Sequence, residues 1–390
     1  QAHPGIRDPL WSRGLGDVYK RQFYAHNVIH SLVYQPLTFK NLIKNRNIDP
    51  MKLILRFSAL VLASLFAVFP LVAADKWPAE PPAEAPADWG PVSANFEEID
   101  YPYPVHFLKL RRFDQDMNMA YMDIEPTGRS NGQTIFWQHG MNFYSEAYTP
   151  TLRALAAEGF RVLAVDRIGY GKSSKPVIPY NFNFVASNMK ALLDELGIEK
   201  VAIVGHSMGG MVVSRFAMLY PEVTTHVAMV NQIGLTDQRQ SRPWSDPYGA
   251  ELVPATYRGI LAGHRRYFPE AWPPAHLEFV RRQYGQTLSG EWPRLTMVRR
   301  LQGGMLYNDP VVYDWQHIST KALVIGGEED GLVPDFPPLA ENVANELQNS
   351  ALLLYPGIGH APQIEIPDKF HSDLIRFLKS DPNQPASDWR

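Results

Sequence analysis

Val201-Ala202-Ile203-Val204-Gly205-His206-Ser207-Met208-Gly209-Gly210 decides how this chain is read. Residues 201–204 are a short apolar run of the kind found in a buried strand. Gly-His-Ser-Met-Gly-Gly follows, and residues 211–220 have helical character. Strand, tight turn and helix are what a G-x-S-x-G turn needs to lift its serine out of a sheet. Gly205 and Gly209 fit because a side chain at either place would crowd the neighbouring strand or helix. The backbone at Ser207 must be strained, and its hydroxyl lands at a helix N-terminus, where N–H groups can hold developing negative charge.

Outward from this turn, strand and helix patterns alternate. Residues 105–110 and 117–124 flank the polar turn Asp114-Gln115-Asp116 and read as an antiparallel pair. Strands are expected at 133–138, 161–165, 201–204, 226–230, 321–325 and 351–355. Helices are expected at 149–158, closed by Gly159, at 184–196, closed by Gly197, and at 336–347 and 368–379. The polar tail from Ser380 is expected to be loose. Alternating elements imply an α/β fold with a mostly parallel central sheet covered by helices on both faces. Its functional loops would sit at the C-terminal ends of the strands.

Residues 234–309 break the alternation. They are long and rich in Trp, Tyr, Pro and Arg, with helical character at 255–263 and 277–284. A structureless loop of that length inside a compact domain is rare, so the segment reads as a helical cap inserted over the sheet. The core is then 96–233 plus 310–380, followed by a tail at 381–390. The cap aromatics read first as cap core and second as substrate contacts.

A serine hydroxyl needs a base to take its proton, and the base needs an orienting partner. His360, in Pro356-Gly357-Ile358-Gly359-His360-Ala361-Pro362, follows a strand on a loop able to reach Ser207. Two acids compete to orient it. Asp330, in Gly326-Gly327-Glu328-Glu329-Asp330-Gly331, follows the strand at 321–325 and gives the chain order Ser…Asp…His. Asp237 follows the preceding strand and is the alternative acid. Backbone N–H groups of Met208 and Met141 are the expected oxyanion donors, the second from the His139-Gly140-Met141 loop. His206 is expected to point away from the serine, and His139 to shape its own loop.

The N-terminal part reads differently. Residues 1–50 lack periodicity and read as non-native or upstream translated sequence. Met51 has the look of a start, with Lys52 and Arg56 before an apolar run at 57–72 and Val72-Ala73-Ala74 at its end. This predicts a cleaved signal peptide at 51–74 and a periplasmic or secreted product, the rival being an uncleaved anchor. A Pro/Ala-rich linker, expected to be exposed, occupies 75–95. Residues 1–74 carry nine of the 37 Lys/Arg and three of the 40 Asp/Glu, so the remainder has a net charge of −9. That acidity argues against nucleic acid or an anionic membrane as partner. With no cysteine, thiolate catalysis, disulfides and Cys-based metal sites are excluded. The chain has no H-E-x-x-H, P-loop or dinucleotide fingerprint.

Residues from about 96 to 379 resemble the α/β-hydrolase superfamily. The motifs that carry this are His139-Gly140, Asp166-Arg167-Ile168-Gly169-Tyr170-Gly171-Lys172-Ser173, Gly205-His206-Ser207-Met208-Gly209-Gly210, Asp330 and Gly359-His360. Those loops look most like exported bacterial serine hydrolases with a cap. The resemblance implies a Ser207–His360–Asp330 triad, a cap domain and no cofactor; no metal is expected, and the cap with its apolar lining suggests a small-molecule ester-type substrate, a small or medium acyl or aryl ester or a lactone. A serine at position 207 argues against the epoxide-hydrolase and dehalogenase branches, which use aspartate there. Carbon–carbon bond hydrolysis, perhydrolase or haloperoxidase-like chemistry and amide hydrolysis share the same triad. A small-ligand binding protein that keeps the fold is the non-enzymatic rival.

Overall fold

A computed structural model describes residues 80–246, 255–270 and 272–389. The segments read as upstream sequence and as a signal peptide lie outside these residues. Eight strands form one sheet in the order β1-β2-β4-β3-β5-β6-β7-β8. β1 (Val105–Arg112) and β2 (Gln115–Ile124) form a hairpin whose two turn residues, Phe113 and Asp114, both have positive φ, which suits the strand twist. β2 pairs antiparallel with β4 (Arg161–Val165). β3 (Thr134–Gln138), β5 (Val201–His206), β6 (Thr224–Val230), β7 (Lys321–Gly327) and β8 (Ser350–Tyr355) complete the sheet, and all of these pairings are parallel.

The parallel strands are mostly apolar, as strands covered by helices on both faces are. Phe136, Leu163, Ile203 and Met229 enter one core. Their neighbours Ile135, Val162, Val204 and Val230 enter the other. The flanking helices are α1 (Thr149–Ala157), α2 (Phe182–Glu195), α3 (Met208–Leu219), α7 (Phe336–Glu346), the single-turn α8 (Pro362–Glu365) and α9 (Pro367–Leu378). Asn181 caps α2 by accepting from the Phe184 N–H at 2.8 Å.

The inserted segment holds three helices: α4 (Tyr257–Arg265), α5 (Leu277–Thr287) and α6 (Trp292–Asn308). The first two match the sequence reading. α6, the longest helix described, was not anticipated. Its buried stripe includes Thr296 and Gln302 among Leu295, Val298, Leu301 and Met305, and Gly303-Gly304 interrupts it. Polar residues on the inner face and a Gly pair erase the periodic signal.

Two segments depart from expectation. Residues 80–96 do not hang free but lie as a strap on the cap. The Tyr257 hydroxyl donates to the Pro82 carbonyl at 2.6 Å, and the Val92 N–H to that of Gly285 at 3.0 Å. Trp89 packs against Tyr257 and Tyr284, and Val92, Ala94 and Phe96 are buried. Proline stiffens this stretch in an extended form that suits surface docking as well as a linker. The tail is likewise anchored. Lys321 donates to the Asp381 carbonyl at 2.8 Å, and Trp389 is buried against Phe377.

Candidate active site

Ser207 sits between the last residue of β5 and the first of α3, with φ 58° and ψ −123°. Side-chain-bearing residues rarely adopt such backbone, at a cost of roughly 1–3 kcal/mol. A β-carbon on Gly205 would lie 2.1 Å from the Gly209 carbonyl oxygen, and one on Gly209 would lie 2.4 Å from that of Gln138. The turn closes only with hydrogens at both places. From behind, the Ser207 N–H donates to the Val230 carbonyl at 2.9 Å. In front, Ser207 lines a cleft of about 520 Å³ shared with Met141, Leu235, Tyr267 and Leu306. Core and cap therefore both wall the cleft.

β7 and β8 deliver the other two groups. His360 Nδ1 lies 2.6 Å from Asp330 Oδ2, and both side chains are fully buried. Asp330 Oδ2 also accepts from Asn231 Nδ2 at 2.9 Å, and Oδ1 accepts from the Leu332 and Val333 N–H groups at 2.8 and 3.2 Å. Burial alone would raise the Asp330 pKa. The neighbouring His360 and these donated hydrogen bonds outweigh it and hold the carboxyl below its ordinary range. An ionised Asp330 fixes the proton of His360 on Nδ1 and leaves Nε2 to act as a base. Nε2 is buried and has no hydrogen-bond partner among the described residues. The His360 ring lies 4.9 Å from that of His206, beside the turn that carries Ser207.

Asp237 is occupied elsewhere. It pairs with Arg239 at 2.7 Å and accepts from the Tyr313 hydroxyl at 2.9 Å. The hydrogen bonds from Arg239 hold its pKa well below the usual range. The structure thus brings Asp330, not Asp237, to His360. Among the described residues no three His, Asp or Glu side chains gather as a metal site requires.

Met208 opens α3, so its N–H has no intrahelical acceptor and faces the turn. The loop bearing Met141 passes directly over Ser207: a β-carbon on Gly140 would sit 3.1 Å from that of Ser207. Arg167 clamps this loop by donating to the carbonyls of His139 and Gly140. His139 Nε2 accepts from the Arg167 N–H at 3.2 Å, while its Nδ1 donates to the Gly140 carbonyl at 2.7 Å. A second chain ties the loop to His360. The Gly140 N–H donates to the Tyr148 hydroxyl at 3.0 Å, and that hydroxyl donates to His206 Nδ1 at 2.7 Å. His206 Nε2 then donates to the His360 carbonyl at 2.7 Å. One neutral tautomer of His206 satisfies both contacts. Burial pushes its pKa down to about 3, so it stays neutral. From the cap, the Tyr267 carbonyl accepts from the His360 N–H at 2.9 Å, and its ring meets the His360 ring edge-on at 4.9 Å.

Arg167, Tyr148, Asn231 and Tyr267 had not been singled out for the site. Each acts through backbone groups or a single long-range contact, and neither leaves a spacing in sequence. Arg167 at least lay within a motif already noted.

Residues 133–367 match the family model described as alpha/beta hydrolase fold. The bifunctional esterase/perhydrolase DCH of Acinetobacter calcoaceticus is 25% identical over 265 residues, 65% of this chain and 94% of that protein. A non-heme haloperoxidase of Rhodococcus erythropolis is 25% identical over 259 residues, 64% of this chain and 93% of its own. Among solved structures, a probable hydrolytic enzyme from Pseudomonas aeruginosa PAO1 superposes with a TM-score of 0.71 at 32% identity, covering 75% of this chain and 99% of that one. The strand order, the strained turn after β5 and this match across more than half of the chain lead to one conclusion: the protein belongs to the α/β-hydrolase fold family.

Proposed function

We propose that the protein is a serine hydrolase that cleaves carboxylic esters through an acyl-enzyme on Ser207. The observation that carries the reading is the buried His360–Asp330 pair at 2.6 Å, with its unpartnered Nε2 beside the strained turn of Ser207. His360 Nε2 takes the Ser207 proton as Oγ attacks the ester carbonyl. The N–H groups of Met208 and Met141 hold the resulting oxyanion, each worth roughly 3 kcal/mol at the transition state. The C–O bond to the alcohol then breaks, and His360 returns the proton to the leaving oxygen. Water, deprotonated by the same nitrogen, attacks the acyl-enzyme, and collapse releases the acid and restores Ser207. Asp330 holds the imidazole in one tautomer throughout and stabilises its charged form.

The test is hydrolysis of 4-nitrophenyl esters of graded acyl length by the wild type and by Ser207→Ala. Turnover by the wild type that falls at least about 10³-fold in the variant is expected. Turnover that survives in the variant, or none in either, would overturn the reading. Similarity to the bifunctional esterase/perhydrolase of Acinetobacter calcoaceticus favours one second reading, peracid formation. It predicts that acetate and hydrogen peroxide yield peracetate at a rate that also depends on Ser207.

A further inference from the structure

A second, smaller cavity of about 40 Å³ adjoins the Ser207 cleft. Met141 and Asn142 line the Ser207 chamber on one side and a second chamber on the other. Among the described residues no Asp or Glu lines either chamber, although that part of the chain is rich in both. The second chamber instead presents Lys175, Arg282 and Arg299.

The three cations are differently engaged. Arg282 is neutralised by Glu146 at 2.9 Å and Glu278 at 2.7 Å. Lys175 directs Nζ at the carbonyls of Gly171 and Ser173, at 2.6 and 2.7 Å, and at Asn95 Oδ1 at 3.1 Å. Arg299 has no carboxylate within ion-pair distance among the described residues, and Nη2 donates to Asn142 Oδ1 at 3.0 Å. A half-buried guanidinium cannot shed its charge to escape desolvation, and its fork of five donors suits a carboxylate. Leaving such a charge without a counter-ion is costly, and structures bear that cost where a ligand supplies the counter-ion.

Asn142 places this charge next to the chemistry. It follows Met141, and its Nδ2 donates to the Tyr267 hydroxyl at 3.2 Å. Tyr267 packs on His360. We propose that the second chamber is an acid-recognition subsite in which Arg299 binds a carboxylate of the substrate, so that the preferred substrates are esters that also carry a free acid. This rests on the reading of Ser207 as the ester-cleaving nucleophile and adds the substrate class to it.

Two matched pairs of esters test it. On the acyl side, 4-nitrophenyl hydrogen adipate is compared with 4-nitrophenyl 6-methylheptanoate, in which an isopropyl group replaces the carboxylate. On the alcohol side, 4-acetoxybenzoate is compared with 4-isopropylphenyl acetate. The wild type is expected to favour the charged member of at least one pair by tenfold or more in kcat/KM. Arg299→Met should cut that preference at least tenfold. Arg299→Lys, which keeps the charge but loses the fork, should fall between. Equal or poorer use of both charged esters by the wild type overturns the proposal, as does a preference unchanged in Arg299→Met. If neither Arg299 variant folds, the wild-type preference alone decides. If no ester of any kind is turned over, the ester reading fails by itself. Calorimetry of adipate against Ser207→Ala then decides the subsite: saturable binding supports it, and the absence of heat overturns it.

Discussion

Asp330 and Asp237 carry the same side chain and end in opposite employment. Each follows a strand, β6 or β7, and the two strands are neighbours in the sheet. Asp330 meets His360, while Asp237 is tied to Arg239 and Tyr313. Asp330→Asn is therefore expected to lower kcat by about 10³–10⁴-fold, because an amide can hold the wrong tautomer of His360. Asp237→Asn should leave kcat within about threefold and act on stability instead. Steady-state kinetics of the two purified variants check this, and a larger loss from Asp237→Asn would contradict it. Serine, histidine and the pair of candidate acids were legible in sequence because each stands in a glycine-marked loop just past a strand. The choice between the acids was not, since both satisfy the chain order and the strand-end position. Asn231 decides it physically: its amide bridges the Gly327 N–H and the Asp330 carboxylate, which fixes Asp330 towards His360.

At the scale of elements, the strands were the most legible. The runs in β3 to β7 are short and buried on both faces, as strands of a covered parallel sheet are. Helix ends were marked by Gly159 and Gly197, which take φ of 93° and 65° just past α1 and α2. α6 was missed because two glycines and two buried polar residues blur its stripe, and Gln302 finds its acceptor far away in the Ile168 carbonyl, at 3.3 Å. The strap and the tail were misread for a related reason. Their composition describes chain stiffness and polarity, whereas their docking depends on partners such as Gly285 and Lys321, which composition cannot reveal. The cap aromatics divide less cleanly than the sequence suggested: Tyr267 is both cap core and a wall against His360.

The whole molecule buries several neutral histidines, and this sets its response to acid. Burial pushes His206 down to about 3 and His264 down to about 4, and lowers His139 and His276 well below the usual range. Unfolded histidines take up protons near pH 6.5, so below that pH the unfolded chain binds more protons than the folded one. Each such histidine then removes on the order of 1 kcal/mol of stability per pH unit until its folded pKa is reached. Asp330, with its lowered pKa, contributes stability that is present above the ordinary carboxylate range and lost as pH falls through its folded value. Both effects have the same sign. Urea melts at pH 7.5, 6.5, 5.5 and 4.5 should show stability falling steadily below pH 6.5. Stability that stays flat or rises over that range would contradict the burial of neutral imidazoles.

If Ser207, activated by His360 and Asp330, attacks an acyl carbon, an electrophile that needs no particular substrate should trap it. The wild type, Ser207→Ala and His360→Gln are incubated with a fluorophosphonate, and the modified peptide is mapped by mass spectrometry. One adduct on Ser207 is expected in the wild type, none in Ser207→Ala, and labelling slowed at least about 10²-fold in His360→Gln. A wild type that stays unlabelled, or an adduct carried by another residue, would show that Ser207 is not the nucleophile.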